Sequence, residues 1–167
     1  MHASAYARWI SVKSLHAVAT IRSEPKHGNI RATLRFDQDL ASAVRISGSI
    51  KGLSVGRHGF HIHRFGNLSS MCRSVGPHLN PEFMSHGAPT DQKRHLGDLG
   101  NVENGEIDVI DHRISLGGSN SILGRAVVIN ENEDFFGRPP MSDYGIVDKG
   151  DAKIACGVIG LFDVKYE

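Results

Sequence analysis

The sequence predicts an all-β domain, an eight-stranded Greek-key barrel flattened towards a sandwich, with two long functional loops. Three observations support this class. Nineteen glycines separate short apolar segments, and several of those segments alternate between apolar and polar residues as half-buried strands do. The length of 167 residues fits one domain. No apolar run approaches the roughly 20 residues of a membrane-spanning helix, so no membrane association is predicted.

The strand-like segments follow one another in a regular order. A turn at residues 23–29 separates the first two, and Asn104–Gly105 is a hairpin turn signal. Two polar stretches, 65–103 and 130–152, lack strand alternation and are predicted to be the long loops. The predicted strands cover residues 15–21, 30–36, 43–50, 56–64, 106–110, 113–116, 122–129 and 153–161.

Domain organisation and net charge bear on where the protein is located and on its partners. Residues 15–167 form the predicted domain, and residues 1–14 form an N-terminal extension. The extension carries Arg8 and Lys13, no acidic residue and no uninterrupted apolar core. A cytoplasmic protein is therefore expected, with a mitochondrial presequence as the alternative. The net charge of +1 gives no reason to expect a nucleic-acid partner.

Histidines concentrate in residues 58–101, which hold six of the ten in the chain. His61 and His63 form an H-x-H pattern. On a strand, alternate side chains leave the same face about 6 to 7 Å apart, close enough to share one metal ion. Three further histidines and an aspartate follow, and such a set suits a closed zinc site. These four residues are His78, His86, His95 and Asp98.

The histidine segment resembles the metal-binding segment of the copper/zinc superoxide dismutases, and the likeness extends from about residue 15 to the C-terminus. That family is itself among the proteins that define the β-sandwich class, so the resemblance and the strand count are not independent arguments. The matching motifs are GSIKGL (48–53), HGFHIHRFGN (58–67), Cys72, GPHLNP (76–81), HG (86–87), RHLGDLGN (94–101) and ACGVIG (155–160).

The resemblance implies two neighbouring metal sites. The zinc ligands carry over as a complete set, so bound zinc is expected to order the 65–103 loop. The copper ligands carry over only in part, because three of them match. The zinc set is His78, His86, His95 and Asp98, and the copper set is His61, His63 and the bridging His78.

The fourth copper histidine of the family lies in a strand that ends V-V-H. The corresponding strand here reads GRAVVIN, and Ile129 takes the position of the histidine. Asn130 and His112 are the alternatives for completing the site. Neither is favoured, because Asn130 should face away from position 129 and His112 belongs to another strand segment. Copper binding is therefore expected to be incomplete.

Three further features come from the resemblance. Lys153 occupies the position of an arginine that holds the anionic substrate in the family. A carboxylate linking a copper histidine to a zinc histidine is expected at Asp134, with Glu133 as the alternative because the spacing from position 129 is one residue longer than the family pattern. Cys72 and Cys156 match the intrasubunit disulfide of the family, and two free thiols are the alternative.

These departures predict a zinc-binding, dismutase-like protein with little or no dismutase activity, acting as a binding or regulatory module. The alternative is an active copper/zinc enzyme that converts superoxide to oxygen and hydrogen peroxide. A direct copper-transfer role is not favoured, because the chain has no M-x-C-x-x-C or C-x-C motif. The resemblance also implies a homodimer, through residues 65–67, 122–124 and 158–161. A heterodimer with an authentic dismutase or with its copper chaperone is the alternative.

Overall fold

The structure, a computed structural model, describes residues 14–39, 43–138, 141–142, 145–146 and 152–162. Twelve strands lie within these ranges, and a short 3₁₀ turn at Pro25–His27 joins the first two. The strands are β1 (Ser14–Ser23), β2 (Arg31–Asp39), β3 (Val44–Lys51), β4 (Arg57–His63), β5 (Ser69–Cys72), β6 (Asp98–Glu103), β7 (Glu106–Asp111), β8 (Ala126–Asn130), β9 (Met141–Ser142), β10 (Gly145–Ile146), β11 (Lys153–Val158) and β12 (Gly160–Leu161).

Eight of these strands close into an antiparallel barrel. Their order around it is β1, β2, β3, β7, β6, β4, β8 and β11, and β11 pairs again with β1 at Arg22 and Cys156. The chain crosses over between β3 and β4 and between β7 and β8, as a Greek key does. Closure leaves no unpaired sheet edge in the barrel. The predicted all-β, eight-stranded class is therefore confirmed.

The barrel interior is filled by one face of each strand. Leu34, Ile46 and Phe60 are fully buried there, together with Ile129. A smaller apolar cluster lies on the other side of the barrel wall, where Val128 and its neighbours pack around two cysteines. Strand β8 is therefore buried on both faces, which explains its unbroken apolar sequence.

The strand predicted at residues 113–116 is wrong. Ser115 makes only an isolated bridge to Ser121. Ile114 and Leu116 are buried, but they anchor a loop and do not extend a sheet ladder. The loop begins because the Asp111 carboxylate accepts hydrogen bonds from the Arg113 and Ile114 amides, which turns the chain away from β7.

Several predicted boundaries also differ. Barrel strand β6 was missed, because residues 98–103 were predicted to be the end of the first long loop. The strand begins at Asp98, pairs with β4, and is buried at Asp98, Leu99, Gly100 and Val102, so its sequence lacks strand alternation. Strand β8 begins at Ala126, after Gly124 adopts a φ of 72° and the Arg125 amide bonds to Ile122. Within the described residues, no helix is long and apolar enough to cross a membrane.

Candidate metal centre

Strand β4 carries the H-x-H pair on the outer side of the barrel wall. His61 lies opposite Val128 of β8, and His63 lies opposite Ala126. Both histidines are almost fully buried, while Phe60 points into the core. The two imidazoles therefore share the face that the alternation of the sequence predicted.

The preceding glycine makes room for these rings. A Cβ atom added at Gly59 would lie 2.9 Å from Cε1 of His61. Such a contact is too short for a real side chain, so a residue with a side chain here would displace the imidazole. The G in HGFHIH thus has a packing role beside the histidines.

A disulfide fastens the long loop above this face. Cys72 at the end of β5 is bonded to Cys156 in β11, across a sequence separation of 84 residues. The predicted disulfide is confirmed. The loop that follows Cys72 brings the Gly76 carbonyl oxygen within 2.8 Å of His63 Nδ1. Nδ1 must donate this hydrogen bond, which leaves Nε2 of His63 as the nitrogen with a lone pair.

The four predicted zinc ligands meet at the base of the loop. The Asp98 carboxylate is fully buried, and its Oδ1 lies 2.9 Å from His78 Nδ1 and 3.1 Å from His95 Nδ1. Its Oδ2 lies 2.9 Å from His86 Nδ1. One ligand atom from each residue lies within 4.8 Å of the others. The same nitrogen of all three rings is thus turned towards one point.

The contacts in this group fit a shared cation. His86 Nδ1 is close to Asp98 but is buried without a properly aligned hydrogen bond in the described structure. His95 Nδ1 and His78 Nδ1 are 3.4 Å apart. Three imidazole nitrogens gathered around one buried carboxylate, one of them without an aligned hydrogen bond, are suited to bind one ion. Three nitrogens and one oxygen make a donor set of the kind Zn²⁺ takes in closed sites.

The three predicted copper ligands form the adjoining group. His61, His63 and His78 each offer one nitrogen, and these lie within 4.8 Å of one another. His61 Nδ1 and His63 Nε2 are buried and have no hydrogen-bond partner among the described residues. The His78 ring lies 4.0 Å from that of His61 and 4.9 Å from that of His63, so it belongs to both groups. Three imidazoles fit Cu(I), but they leave the tetragonal set of Cu(II) one ligand short.

Asp134 joins the two groups. Its Oδ2 lies 2.8 Å from His61 Nε2, and its Oδ1 lies 2.8 Å from His86 Nε2. The Asn101 side chain holds the backbone of Asp134 at both its N–H and its carbonyl. Glu133, the other carboxylate that the sequence left open, instead pairs with Arg57. Only Asp134 of this acidic pair therefore touches the histidines.

The histidines of the centre differ in the direction in which their pKa is shifted. Burial lowers the pKa of His63 to about 3, so this ring is neutral and its lone pair is available. The hydrogen bond to Asp134 and the nearby negative charge of Asp98 raise the pKa of His86 to about 10. Burial alone would raise the pKa of the Asp98 carboxyl, but the hydrogen bond from His78 and the close contact with His86 hold it far below its usual value. A cation bound here would take the place of the His86 proton.

The structure contradicts the assignment of Ile129 to the copper side. Ile129 lies opposite Phe60, is fully buried and belongs to the barrel core. The face that carries His61 and His63 is matched on β8 by Ala126 and Val128. A strand shifted by one residue presents its opposite face, so counting to position 129 selected the wrong side of the wall.

Asn130 continues the outer face of β8. A Cβ atom at Gly59 would be 2.9 Å from His61 and 3.4 Å from Cβ of Asn130, so both side chains flank the same point. The prediction that Asn130 faces away from position 129 holds, but the metal side is the Asn130 side. The spacing from position 129 to Gly137 was one residue longer than the family pattern. The spacing from Asn130 to Gly137 matches that pattern. His112 is exposed beyond the end of β7.

A cavity of about 960 Å³ opens over the histidines. Lys153 lines it together with His63, and its charge contributes a smaller part of the lowering of the His63 pKa, after burial. Phe83 also lines it and is 92 % exposed at the rim. The predicted anion-holding lysine therefore faces the same space as His63 and His78.

Sequence reasoning missed a buried ion pair that supports the centre. The Arg94 guanidinium pairs with the Asp111 carboxylate, and both side chains are almost completely buried. Arg94 Nη1 also donates to the Asp98 carbonyl oxygen at 2.9 Å. The pair thus fixes the turn that presents Asp98. An arginine directly before His95 was visible in the motif, but its distant partner was not.

Comparison with known proteins decides the family. The model of the family described as copper/zinc superoxide dismutase matches residues 30–159. The chain belongs to the copper/zinc superoxide dismutase family. The crystal structure of the clock protein EA4 superimposes with a TM-score of 0.76 at 41% identity, covering 90% of this chain and 96% of that chain.

Relatives from distant organisms carry the same family name. Superoxide dismutase [Cu-Zn] 2 of Mesembryanthemum crystallinum is 43% identical over 88% of this chain and 96% of its own length. The extracellular superoxide dismutase [Cu-Zn] of Brugia pahangi is 40% identical over 89% of this chain and 77% of its own length. Because one relative is named extracellular, membership of this dismutase family does not assign a compartment, and the cytoplasmic location stays a prediction.

Proposed function

We propose that this chain is a zinc-holding member of the dismutase family with an impaired copper site and little or no dismutase activity, which acts as a binding or regulatory module. His78, His86, His95 and Asp98 would hold zinc and tie the long loop to the barrel. His61, His63 and His78 would retain copper weakly. In the family reaction, copper supplies the electron exchange by cycling between two oxidation states.

The face of β8 turned towards His61 and His63 is the observation that carries this proposal. It presents Ala126, Val128 and Asn130, and none of these is an imidazole. An amide oxygen is a harder and weaker donor for copper than a histidine nitrogen. The centre therefore supplies full coordination for zinc and only three nitrogens for copper.

Lys153 supports the same conclusion. It brings positive charge to the cavity over the histidines. A lysine ammonium is a point charge, whereas the family arginine offers a planar pair of donors for an oxygen anion. An anion would still be attracted into the cavity, but it would be held with less directional control.

Metal content and superoxide consumption test the proposal together. Protein loaded with copper and zinc should retain about one zinc and clearly less than one copper per chain after dialysis. Its rate should fall at least about a hundredfold below the diffusional ceiling that efficient enzymes reach. A full copper complement with near-diffusional activity would refute it.

An active dismutase is the second candidate, and the named relatives favour it. Two curated relatives at 40% and 43% identity are called superoxide dismutases. In that case the Asn130 side chain or a solvent molecule would supply the fourth donor to copper. Wild-type activity separates this candidate from the first, and substitution of Asn130 by alanine separates the two donors, since it would abolish activity only if the amide takes part.

We also propose that the chain forms a two-fold homodimer, with a heterodimer with an authentic dismutase or its copper chaperone as the alternative. Three predicted interface segments lie side by side, because a Cβ atom at Gly66 would lie 2.1 Å from the Gly124 carbonyl oxygen and 3.2 Å from Val158. Phe65 is 48% and Leu161 is 60% exposed. Ile122, in contrast, is fully buried, so it can support the patch but not contact a partner directly.

Light scattering at micromolar concentration tests the dimer. Leu161→Asp should yield monomers, because it places a charge in an apolar symmetric contact. Ile110→Asp is the matched control, since Ile110 is 62% exposed on another part of the barrel. A monomeric wild-type protein, or equal effects of the two variants, would rule out this interface. Mixing with an intact dismutase tests the heterodimer.

A further inference from the structure

Strands β1, β2 and β3, which carry none of the residues of the metal centre, present a row of three cations on the outer wall of the barrel. Arg22 of β1 lies directly opposite Arg31 of β2, and Arg31 lies directly opposite Lys51 of β3. All three side chains are exposed. Residues that are direct cross-strand partners point to the same face about 5 Å apart, so like charges in this register repel one another.

The row is not neutralised by its surroundings. Within the described residues, no ion pair is found to Arg22, Arg31 or Lys51. The carboxylates near this end contact other residues. Glu24 contacts Lys26 and Arg73, and Glu106 accepts a hydrogen bond from Ser49. The net charge of the chain conceals this local concentration.

A groove of about 900 Å³ lies over the row. Its described lining holds the three cations, several hydroxyl groups and no carboxylate. It also holds no aromatic ring, so a nucleobase would find no stacking surface. The polar uncharged side chains of the lining are Thr20, Ser23, Asn29, Thr33 and Ser49.

One wall of the groove is a rigid turn. Ser23 Oγ donates to the Gly28 carbonyl at 2.7 Å and accepts from the Ile30 amide at 3.1 Å. The Ser23 amide also donates to the Ile30 carbonyl at 3.1 Å. These three bonds close the loop between β1 and β2 on itself. The groove is therefore preformed, which lowers the entropic cost of binding a ligand.

We propose that this groove binds a small polyhydroxylated polyanion, a sugar or cyclitol that carries several phosphate or sulfate esters. Two arginines offer forked donors to ester oxygens, and Lys51 adds a third charge. The exposed hydroxyl groups of Thr20 and Thr33 suit the hydroxyl groups of a polyol. Three cations spaced about 5 Å apart match esters on neighbouring ring positions better than one isolated anion.

Titration calorimetry with inositol trisphosphate on the full-length, zinc-loaded protein tests the proposal. Saturable one-to-one binding is expected, and raised salt should weaken it because exposed charges are screened. Arg31→Gln should weaken binding about tenfold or more, since it removes charge-assisted hydrogen bonds at the centre of the row. Arg45→Gln is the control, because Arg45 lies on the same sheet and pairs with Asp108 at 2.8 Å. It should change affinity less than about twofold.

Two further probes identify the ligand chemistry. Sucrose octasulfate that binds in the same Arg31-dependent way supports the proposal and extends it to sulfate esters. Inorganic tripolyphosphate that binds as tightly as inositol trisphosphate would overturn the assignment to a polyol. Absence of binding by all three probes, or an equal loss in Arg31→Gln and Arg45→Gln, would overturn the site.

Melting temperature gives an independent readout without ligand. Arg31→Gln should melt at or above the wild-type temperature, because it relieves the repulsion in the row. Arg45→Gln should melt at or below it, because it breaks an ion pair. A clear loss of stability in Arg31→Gln would show that the row is held by contacts within the protein, and would contradict the proposed binding role.

Discussion

Ile129 and Asn130 are neighbours in strand β8, and they lie on opposite sides of the barrel wall. Ile129 packs in the core opposite Phe60, whereas Asn130 lies beside His61 on the outer face. The residue that stands where a fourth copper ligand would be needed is therefore Asn130. This pair also provides a matched experiment, because the same substitution can be made on either face.

Asn130→His should raise copper retention, because it adds an imidazole beside His61 and completes a four-nitrogen set. Copper per chain after dialysis, measured by atomic emission, is the readout. Ile129→His is the control. It should retain no additional copper and should lose about 2 kcal/mol or more of unfolding free energy, because it buries a polar ring in the core. The reverse result would reinstate position 129 as the ligand position.

Restoring copper binding alone should restore only part of the dismutase activity. Asn130→His combined with Lys153→Arg should dismutate superoxide faster than either single variant, because coordination and anion binding are separate requirements. If each defect costs about 1.4 kcal/mol and the costs add, repairing both restores about a hundredfold. Pulse radiolysis with metal-loaded proteins measures the rates. A double variant that holds copper fully and stays inactive would place the main defect elsewhere in the second loop.

Asp98→Ala should release zinc and lower the melting temperature. Asp98 is fully buried and within 3.1 Å of three imidazole nitrogens, so its loss removes a ligand and the affinity that supports folding. Glu82→Ala is the control in the same loop, where Glu82 makes an exposed pair with Arg113. Differential scanning calorimetry and zinc analysis check both. An Asp98→Ala protein with full zinc and an unchanged melting temperature would contradict the ligand assignment.

Asp134→Asn should weaken metal binding about 10- to 100-fold, because the Asp134 carboxylate orients His61 and His86 through two 2.8 Å contacts. Glu133→Gln removes the neighbouring charge and should leave zinc affinity nearly unchanged, since Glu133 pairs with Arg57. Competition with a fluorescent chelator measures both affinities. Equal losses would show that charge alone matters and that orientation does not.

Cys72→Ser should lower the free energy of unfolding by about 4 to 5 kcal/mol in the chain-entropy model. The bond closes a loop of 84 residues, and it anchors the segment that carries Gly76 to β11. Urea unfolding with and without reductant measures the effect. Adding reductant to the Cys72→Ser/Cys156→Ser protein should change nothing, which separates the disulfide from general effects of the reducing agent.

The sequence by itself determined the class of the fold and the membership of the metal groups. Alternation and glycine-rich turns sufficed for seven of the eight strands of the barrel, because those patterns reflect local backbone geometry, but they missed β6. The spacing in HIH, GPHLNP and RHLGD predicted histidines and an aspartate that the structure brings together. The strand predicted at residues 113–116 was wrong. Ile114 and Leu116 are apolar because they anchor a loop in the core, and two apolar residues separated by a polar one give the same alternation as a strand.

The tertiary structure alone decided which side of β8 faces the histidines. A strand with both faces buried has no apolar–polar alternation, so its sequence carries no mark of inside and outside. The face is set by register, since His61 lies opposite Val128 and Phe60 lies opposite Ile129. The choice of Asp134 over Glu133, and the cation row at Arg22, Arg31 and Lys51, depend in the same way on contacts between residues far apart in the chain.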